Sequence, residues 1–324
     1  MDESQVTVIC ATYNRAYGLP RMLDALVRQN YDESKWKLIV VDNNSSDNTQ
    51  EILKSYEDKL PLQILFEPKQ GKSHAVNQAF EHLEGWLVVM IDDDIEPYDD
   101  WLERMVFAAE ENTQYDIFCG QIEPSWETPP PEWVLEWTHH GILYALNGEF
   151  QEGEISPHCV WGGNSAFRRK AIPDGQYCRG DLGPRNSVKF PMGNDVSFAL
   201  KVSETGSKSY HVKAARVRHY ISARDLTESW ILQRARRYGM GKPYLQPEWF
   251  ENKSLFMGMP VTTLIKFMVL KMLHPFIYIL PKSKKRFNLL WKVYMIEGIL
   301  IGMAKINKGK GLISRFQPVS DFLD

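Results

Sequence analysis

Trp86-Leu87-Val88-Val89-Met90-Ile91-Asp92-Asp93-Asp94-Ile95-Glu96-Pro97 decides how this chain is read. Six apolar residues without alternation predict a strand buried on both faces, and Pro97 stops it. Three carboxylates therefore emerge at the C-terminal end of a core strand, where open α/β sheets bind ligands. Adjacent carboxylates disfavour one another's ionisation unless a cation shares them. A part-hydrated Mg²⁺ or Mn²⁺ that also holds substrate phosphates would remove that cost. A solvated acidic turn has the same composition; the position after a buried strand favours the site.

Outward from this stretch, strand and helix signals alternate. Val6–Ala11 predicts a strand that ends in Thr12-Tyr13-Asn14-Arg15. Leu19, Met22, Leu23, Leu26 and Val27 have a helical period. Lys37–Val41 is a second strand, ending in the polar turn Asp42-Asn43-Asn44-Ser45-Ser46-Asp47, which also supplies helix N-caps. A helix through Leu53, the strand Leu62–Phe66, and Gly71-Lys72-Ser73 leading into a helix to Leu83 precede the acidic strand end. This βαβαβαβ order predicts a parallel, nucleotide-binding type of sheet. If its strands are adjacent, Thr12–Arg15, Asp42, Lys72, His74 and Asp92–Asp94 meet along one edge. Hydrogen-bonding groups for a base and ribose then stand beside a cation site for a diphosphate.

The 324 residues are 44% hydrophobic and 24% charged, an ordinary globular composition with ample core. The net charge of -3 hides an asymmetry, because Leu255–Arg315 holds eleven basic residues and one acid, Glu297. That segment is +10 and the remainder -13, which suggests a partner surface near the tail and no nucleic-acid partner for the acidic body. Cys10, Cys119, Cys159 and Cys178 have no metal-ligand spacing and read as reduced residues of a cytoplasmic protein. The acidic N-terminus runs straight into a strand and does not read as a signal peptide.

With these residues in view, the chain resembles family 2 glycosyltransferases of the GT-A fold. The matching elements are Thr12-Tyr13-Asn14-Arg15, Val41-Asp42-Asn43-Asn44-Ser45-Ser46-Asp47, Gly71-Lys72-Ser73-His74-Ala75-Val76-Asn77 and the acidic triplet, set against the family's Asp-x-Asp signature. The resemblance runs from about residue 5 to about residue 245. It implies an α/β fold, a GT-A nucleotide-sugar-binding sheet flanked by helices, over 1–245; beyond it the composition of 246–324 predicts an apolar, basic, amphipathic helical extension. It also implies a donor site with Asp42 on the nucleobase, Asp92 and Asp93 near the ribose, and Thr12, Asn14, Arg15, Asn44 and Lys72 among the donor contacts. Asp94 would coordinate Mn²⁺ or Mg²⁺, joined by Asp92 and His219.

The second half continues the likeness. Gly162-Gly163-Asn164-Ser165-Ala166-Phe167-Arg168-Arg169 resembles the family's segment beside the sugar pocket, which implies donor contacts from Gly163 and Asn164. Gly193-Asn194-Asp195 resembles Gly-Glu-Asp, whose Asp is the general base; Asn194 replaces the usual Glu and leaves the base role to Asp195. Ala215-x-Val217-x-His219 resembles the segment whose His completes the metal shell. Gln233-Arg234-Ala235-Arg236-Arg237-Tyr238-Gly239 resembles an arginine-rich helix, with Arg234 and Arg237 facing the diphosphate. Read singly, Asp195 is also a good helix N-cap, and the arginines a solvated helix face.

The implied activity is a metal-dependent inverting transfer of a sugar from a nucleotide-diphosphate donor, with uridine diphosphate the expected nucleotide, to a glycan or lipid-linked acceptor. Two other classes remain open. One is a catalytically silent nucleotide-sugar-binding scaffold, which Asn194 would signal. The other is a nucleotidyltransferase, whose Gly-rich, basic signature after the first strand is absent here. Should Asp195 fail as base, Glu123 and Asp181 are the next carboxylates. In the tail, the apolar segments 261–280 and 287–306 are broken by Lys266, Lys271, Lys292 and Lys305 and separated by Pro281-Lys282-Ser283-Lys284-Lys285-Arg286. Mid-segment lysines argue against lipid-buried spans. Basic residues beside apolar faces predict a helical hairpin lying on an anionic membrane, peripheral on its inner face. Packing of these helices on the body, or in a dimer, is the alternative.

Overall fold

The computed structural model describes residues 5–173, 177, 182–184, 190–251, 255–256 and 259–309; Cys178, Asp181 and Arg315 lie outside them. In chain order the strands are β1 (Val6–Thr12), β2 (Trp36–Asp42), β3 (Leu62–Phe66), β4 (Leu87–Ile91), β5 (Ile95–Pro97), β6 (Ile117–Trp126), β7 (Gly153–Ile155), β8 (Asn164–Arg168), β9 (Ser209–Ile221), β10 (Leu255–Phe256) and β11 (Met259–Pro260). The helices are α1 (Leu19–Val27), α2 (Thr49–Lys54), α3 (Lys72–Phe80), α4 (Trp101–Glu111), α5 (Glu132–Trp137), α6 (His140–Tyr144), α7 (Asn194–Ser203), α8 (Glu228–Leu245), α9 (Glu248–Glu251), α10 (Val261–Ile279) and α11 (Lys284–Gly309).

The chain forms two compact units, one of Met1–Pro129, His140–Val188 and Asn194–Ser222, the other of Pro130–His139, Lys189–Gly193 and Ala223–Asp324. The first is built on a mixed sheet of order β3-β2-β1-β4-β8-β6-β9-β5, with β7 on β9. Its β1 to β4 half is parallel, as the alternating signals predict. All five residues of β4 are buried, because the sheet carries apolar layers on both faces. One layer joins Val8, Leu38, Val89 and Trp101 with the apolar side of α1 and α4. The other joins Ile9, Ile39, Met90 and Phe167 with α3 and α7. Truncating such a fully buried side chain to Ala costs about 2–5 kcal/mol.

Register places the polar strand ends. Thr12 pairs with Asp42 at the C-terminal ends of β1 and β2, and β4 runs parallel on the other side of β1. Past the turn at Asp92–Asp94, β5 pairs antiparallel with β9, setting Ile95 opposite His219. Here the sheet departs from a uniformly parallel one. β8 is antiparallel to both β4 and β6, so the late strands curl back to bring β9 toward the acidic turn.

In the second unit, α8 and α11 pack backbone to backbone. A methyl group at Gly239 would collide with the Met295 carbonyl, one at Gly298 with that of Arg236, and one at Gly302 with that of Met240. Phe287, Leu290, Trp291, Val293 and Ile299 of α11 are buried. This helix is therefore covered by protein, where the sequence predicts a second membrane-facing helix.

Candidate active site

The acidic turn splits into three separate roles. Asp92 Oδ1 lies 2.6 Å from Lys72 Nζ. Asp93 Oδ2 accepts from Thr12 Oγ1 at 2.8 Å, and its Oδ1 lies 3.1 Å from Arg15 Nε. Asp94 Oδ2 accepts from Arg15 at 2.9 Å, and its Oδ1 lies 3.6 Å from His219 Nε2. The β5–β9 register explains the last contact: the Tyr220 N–H donates to the Asp94 carbonyl at 2.9 Å, holding His219 beside it.

Charge separates the three carboxyls further. Burial pushes Asp93 up to about 6 against the opposing pull of Arg15, and burial likewise raises Asp92. Burial acts on Asp94 too, but His219 and Arg15 outweigh it and hold Asp94 well below the usual carboxylate range. Burial would lower Lys72, yet Asp195 and Asp92 beside it keep its ammonium protonated far above the usual range.

Asp195 sits in the first turn of α7. Its Oδ1 accepts from Asn194 Nδ2 at 2.8 Å and from the Tyr177 hydroxyl, and lies 3.4 Å from Lys72 Nζ. Lys72 therefore bridges the strand end at Asp92 to Asp195. All the hydrogen bonds seen at Asp195 fall on Oδ1, so among the described residues Oδ2 is left to accept. A methyl group at Gly162 would strike the Asp195 carboxyl, so a larger residue there would displace it. Sequence reasoning missed Tyr177, which stands in a stretch without helix or strand periodicity.

The remaining predicted residues divide. Asn14 and Asn44 are exposed at the β1 and β2 turns with positive φ of 50° and 64°, a conformation Asn tolerates. Asn14 Oδ1 accepts from the Ser46 N–H at 2.8 Å, closing one turn on the other. Asp42 is fully buried, its oxygens taken by the Ser45 N–H at 3.0 Å and Gln50 Nε2 at 2.7 Å. Gly163 approaches Asp92 and Ile95 closely. Asn164 is fully buried, accepts from Trp101 Nε1 at 2.8 Å and donates to Ala215 O at 2.9 Å and Gln121 O at 3.0 Å. Its side-chain amide thus ties the sheet to α4. Glu123 accepts from the Tyr98 hydroxyl at 2.8 Å. In the second unit, Arg234 and Arg237 lie on α8. Burial, with Arg234 nearby, lowers Arg237 to about 10, and its guanidinium stacks 5.0 Å from the Phe190 ring.

For a cation, the expected trio is reduced. Among the described residues no three His, Cys, Asp or Glu side chains converge, and Asp92 belongs to Lys72. Asp94 and His219 remain and fit a divalent ion. The Nδ1 of His219 lies 2.6 Å from the Tyr144 carbonyl, which can only accept, so Nε2 faces Asp94. Two protein donors suit an ion that keeps waters and substrate phosphate oxygens as its other ligands.

The profile of glycosyl transferase family 2 matches residues 7–175. Glycosyltransferase AglE of Haloferax volcanii is 36% identical over 120 residues, spanning 36% of this chain and 39% of that protein's length. The glucosyl-dolichyl phosphate glucuronosyltransferase of the same organism is 23% identical over 78% of this chain and 82% of its own. In fold, the chain is similar to TarS 1-349 of S. aureus, with TM-score 0.53 at 15% identity over 97% of this chain and 94% of that one. It is also similar to the Pyrobaculum calidifontis mannosyltransferase PcManGT, solved with GDP-Man and Mn2+, with TM-score 0.53 at 18% identity over 98% and 77%. The curled α/β sheet is thus of GT-A type, and with the profile covering just over half its length the chain belongs to glycosyl transferase family 2.

Proposed function

We propose that this protein transfers a sugar, with inversion, from a nucleoside diphosphate donor to an acceptor hydroxyl. Support comes first from the Lys72 bridge, in which one ammonium touches both the acidic strand end and Asp195. An acid beside the donor site and a carboxylate base are thereby held in one constellation. Asp42 would meet the nucleobase, with Thr12, Asn14, Arg15 and Asn44 among the donor contacts. Asp92 and Asp93 stand near the ribose and Gly163 leaves room for the sugar. Lys72 supplies positive charge for the diphosphate; the same role for Arg234 and Arg237 rests on the family resemblance.

In the reaction, the acceptor oxygen forms a bond to the anomeric carbon as the bond from that carbon to the diphosphate oxygen breaks. The departing oxygen keeps the electron pair, and the acceptor proton passes to Asp195 Oδ2. Asp94 and His219 would hold Mn²⁺ or Mg²⁺, which offsets the charge that develops on the leaving diphosphate. Cationic side chains act in the same sense.

The acceptor in this reading is a hydroxyl of a glycan or lipid-linked acceptor at an anionic membrane surface, reached from the cytoplasmic face. Support is the +10 tail and relatives named for dolichyl phosphate, such as the Haloferax volcanii glucuronosyltransferase. We take 1–245 as the catalytic portion and 246–324 as the attachment region. A panel of UDP- and GDP-sugars, assayed for nucleoside diphosphate release with candidate acceptors and Mn²⁺, tests the reading. Donor binding without release on any acceptor would make the protein a silent binder.

A further inference from the structure

Only one of the two long apolar helices turns its apolar side to solvent. Ile265, Val269, Met272, Phe276 and Ile279 recur every three or four positions along α10 and share a face. All are exposed, Met272 by 76% and Ile279 by 80%. On α11 the order is reversed, with its large apolar residues buried and its glycines seated on the α8 backbone.

Glu297 ties the three helices together. Its carboxylate lies 3.6 Å from Arg236 Nε on α8 and 3.7 Å from Lys271 Nζ at the middle of α10. The sole acid of the basic tail is thereby neutralised from both sides. Exposed Lys266, Lys282 and Lys285 have no ion pair among the described residues. Arg286 does not join them, being buried 3.1 Å from Glu228, and Lys284 donates to the Glu136 carbonyl at 3.0 Å.

We propose that α10 lies flat in the headgroup–acyl boundary of an anionic bilayer, inserting the Ile265–Ile279 face, while α11 stays outside the lipid as a strut. This rests on the membrane reading above and assigns it to one helix face. Nineteen residues span roughly 28 Å, long enough to cross a hydrocarbon core. Crossing, however, would carry Lys266 and the Lys271–Glu297 pair into hydrocarbon, where charge is costly. It would also pull on Arg236, which Glu297 holds to α8. Lying flat keeps these charges at headgroup level and submerges only the apolar face. A second copy of the same face would set the exposed lysines against their own kind, whereas anionic lipid complements them.

The test is sedimentation of the full-length protein with phosphatidylcholine–phosphatidylglycerol vesicles, comparing wild type with Met272→Glu/Phe276→Glu. Both residues are exposed, and unchanged donor binding reports that the variant is folded. The proposal expects the variant to lose binding by at least about tenfold, and alkaline carbonate to strip the wild type from vesicles. A variant that sediments like wild type overturns the assignment to α10 while leaving the membrane reading in place. Wild type that resists carbonate makes α10 a span and overturns the flat orientation. Wild type that ignores the vesicles, with the variant splitting a dimer, makes the face a self-association surface and removes the membrane reading as well.

Discussion

Asn194 donates its side-chain amide to Asp195 Oδ1 at 2.8 Å, and the same amide nitrogen lies 3.1 Å from the Tyr177 hydroxyl. Where the family segment carries Glu, this chain has a donor that fixes the neighbouring carboxylate. Asn194 is buried, so its amide belongs to the site's framework. At this position a hydrogen bond stands where a second negative charge would otherwise be.

Asn194→Asp keeps the shape, removes the donor and places like charge against Asp195. Turnover is expected to fall by about tenfold or more, with donor KM little changed. Tyr177→Phe should act in the same direction, since the ring stays in its aromatic cluster with Phe80 and Phe198. Steady-state kinetics with separate donor and acceptor titrations check both; a rise in donor KM alone would place these residues in donor binding instead.

Asp94→Ala should abolish the dependence of donor affinity on Mn²⁺ or Mg²⁺, with some loss of thermal stability because Arg15 and His219 lose their carboxylate partner. Calorimetry of donor binding with and without EDTA checks this. Affinity that ignores both the chelator and the substitution would remove Asp94 from the cation site.

The Tyr56 hydroxyl donates to Asp24 Oδ1 at 2.6 Å, and burial, reinforced by that bond, pushes its phenol up to about 12. The folded state thus holds the proton more tightly than the unfolded chain, where Tyr titrates near 10. Stability from this group is complete below about pH 10 and is lost as pH rises toward 12. Tyr56→Phe should be less stable than wild type at neutral pH by about 1 kcal/mol. The gap in denaturation midpoint should narrow between pH 10 and 12; a constant gap would contradict the linkage.

Gly302→Leu should open the α8–α11 seam, because a side chain there meets the Met240 carbonyl. Overpacking of this kind costs about 1–3 kcal/mol or more. Thermal unfolding checks the loss, and an unchanged midpoint would show that the helices do not pack through this glycine.

Much of the sheet was legible because its cause is local. The uninterrupted apolar run before Asp92 and the runs ending at Thr12 and Asp42 can only be core strands, and they became β4, β1 and β2 in a parallel set. What was hidden depends on distant partners. No local signal tells that β8 runs antiparallel between β4 and β6, and that reversal is what spends the Asn164 amide inside the sheet. The Lys72–Asp92 pair is likewise a contact across twenty residues. Tyr177 reaches Asp195 from an aperiodic stretch. In the tail, composition shows two similar apolar helices, and only packing against Gly239, Gly298 and Gly302 distinguishes the covered α11 from the bare α10.

The most direct test of the account is Asp195→Asn, measured for product formation and for donor affinity on the same preparation. Asparagine keeps the size and an oxygen that can accept from Asn194 and Tyr177 but cannot take a proton. The account predicts turnover reduced by roughly 10²-fold or more, with donor affinity nearly unchanged. Turnover like that of wild type would contradict it and move the base to another carboxylate.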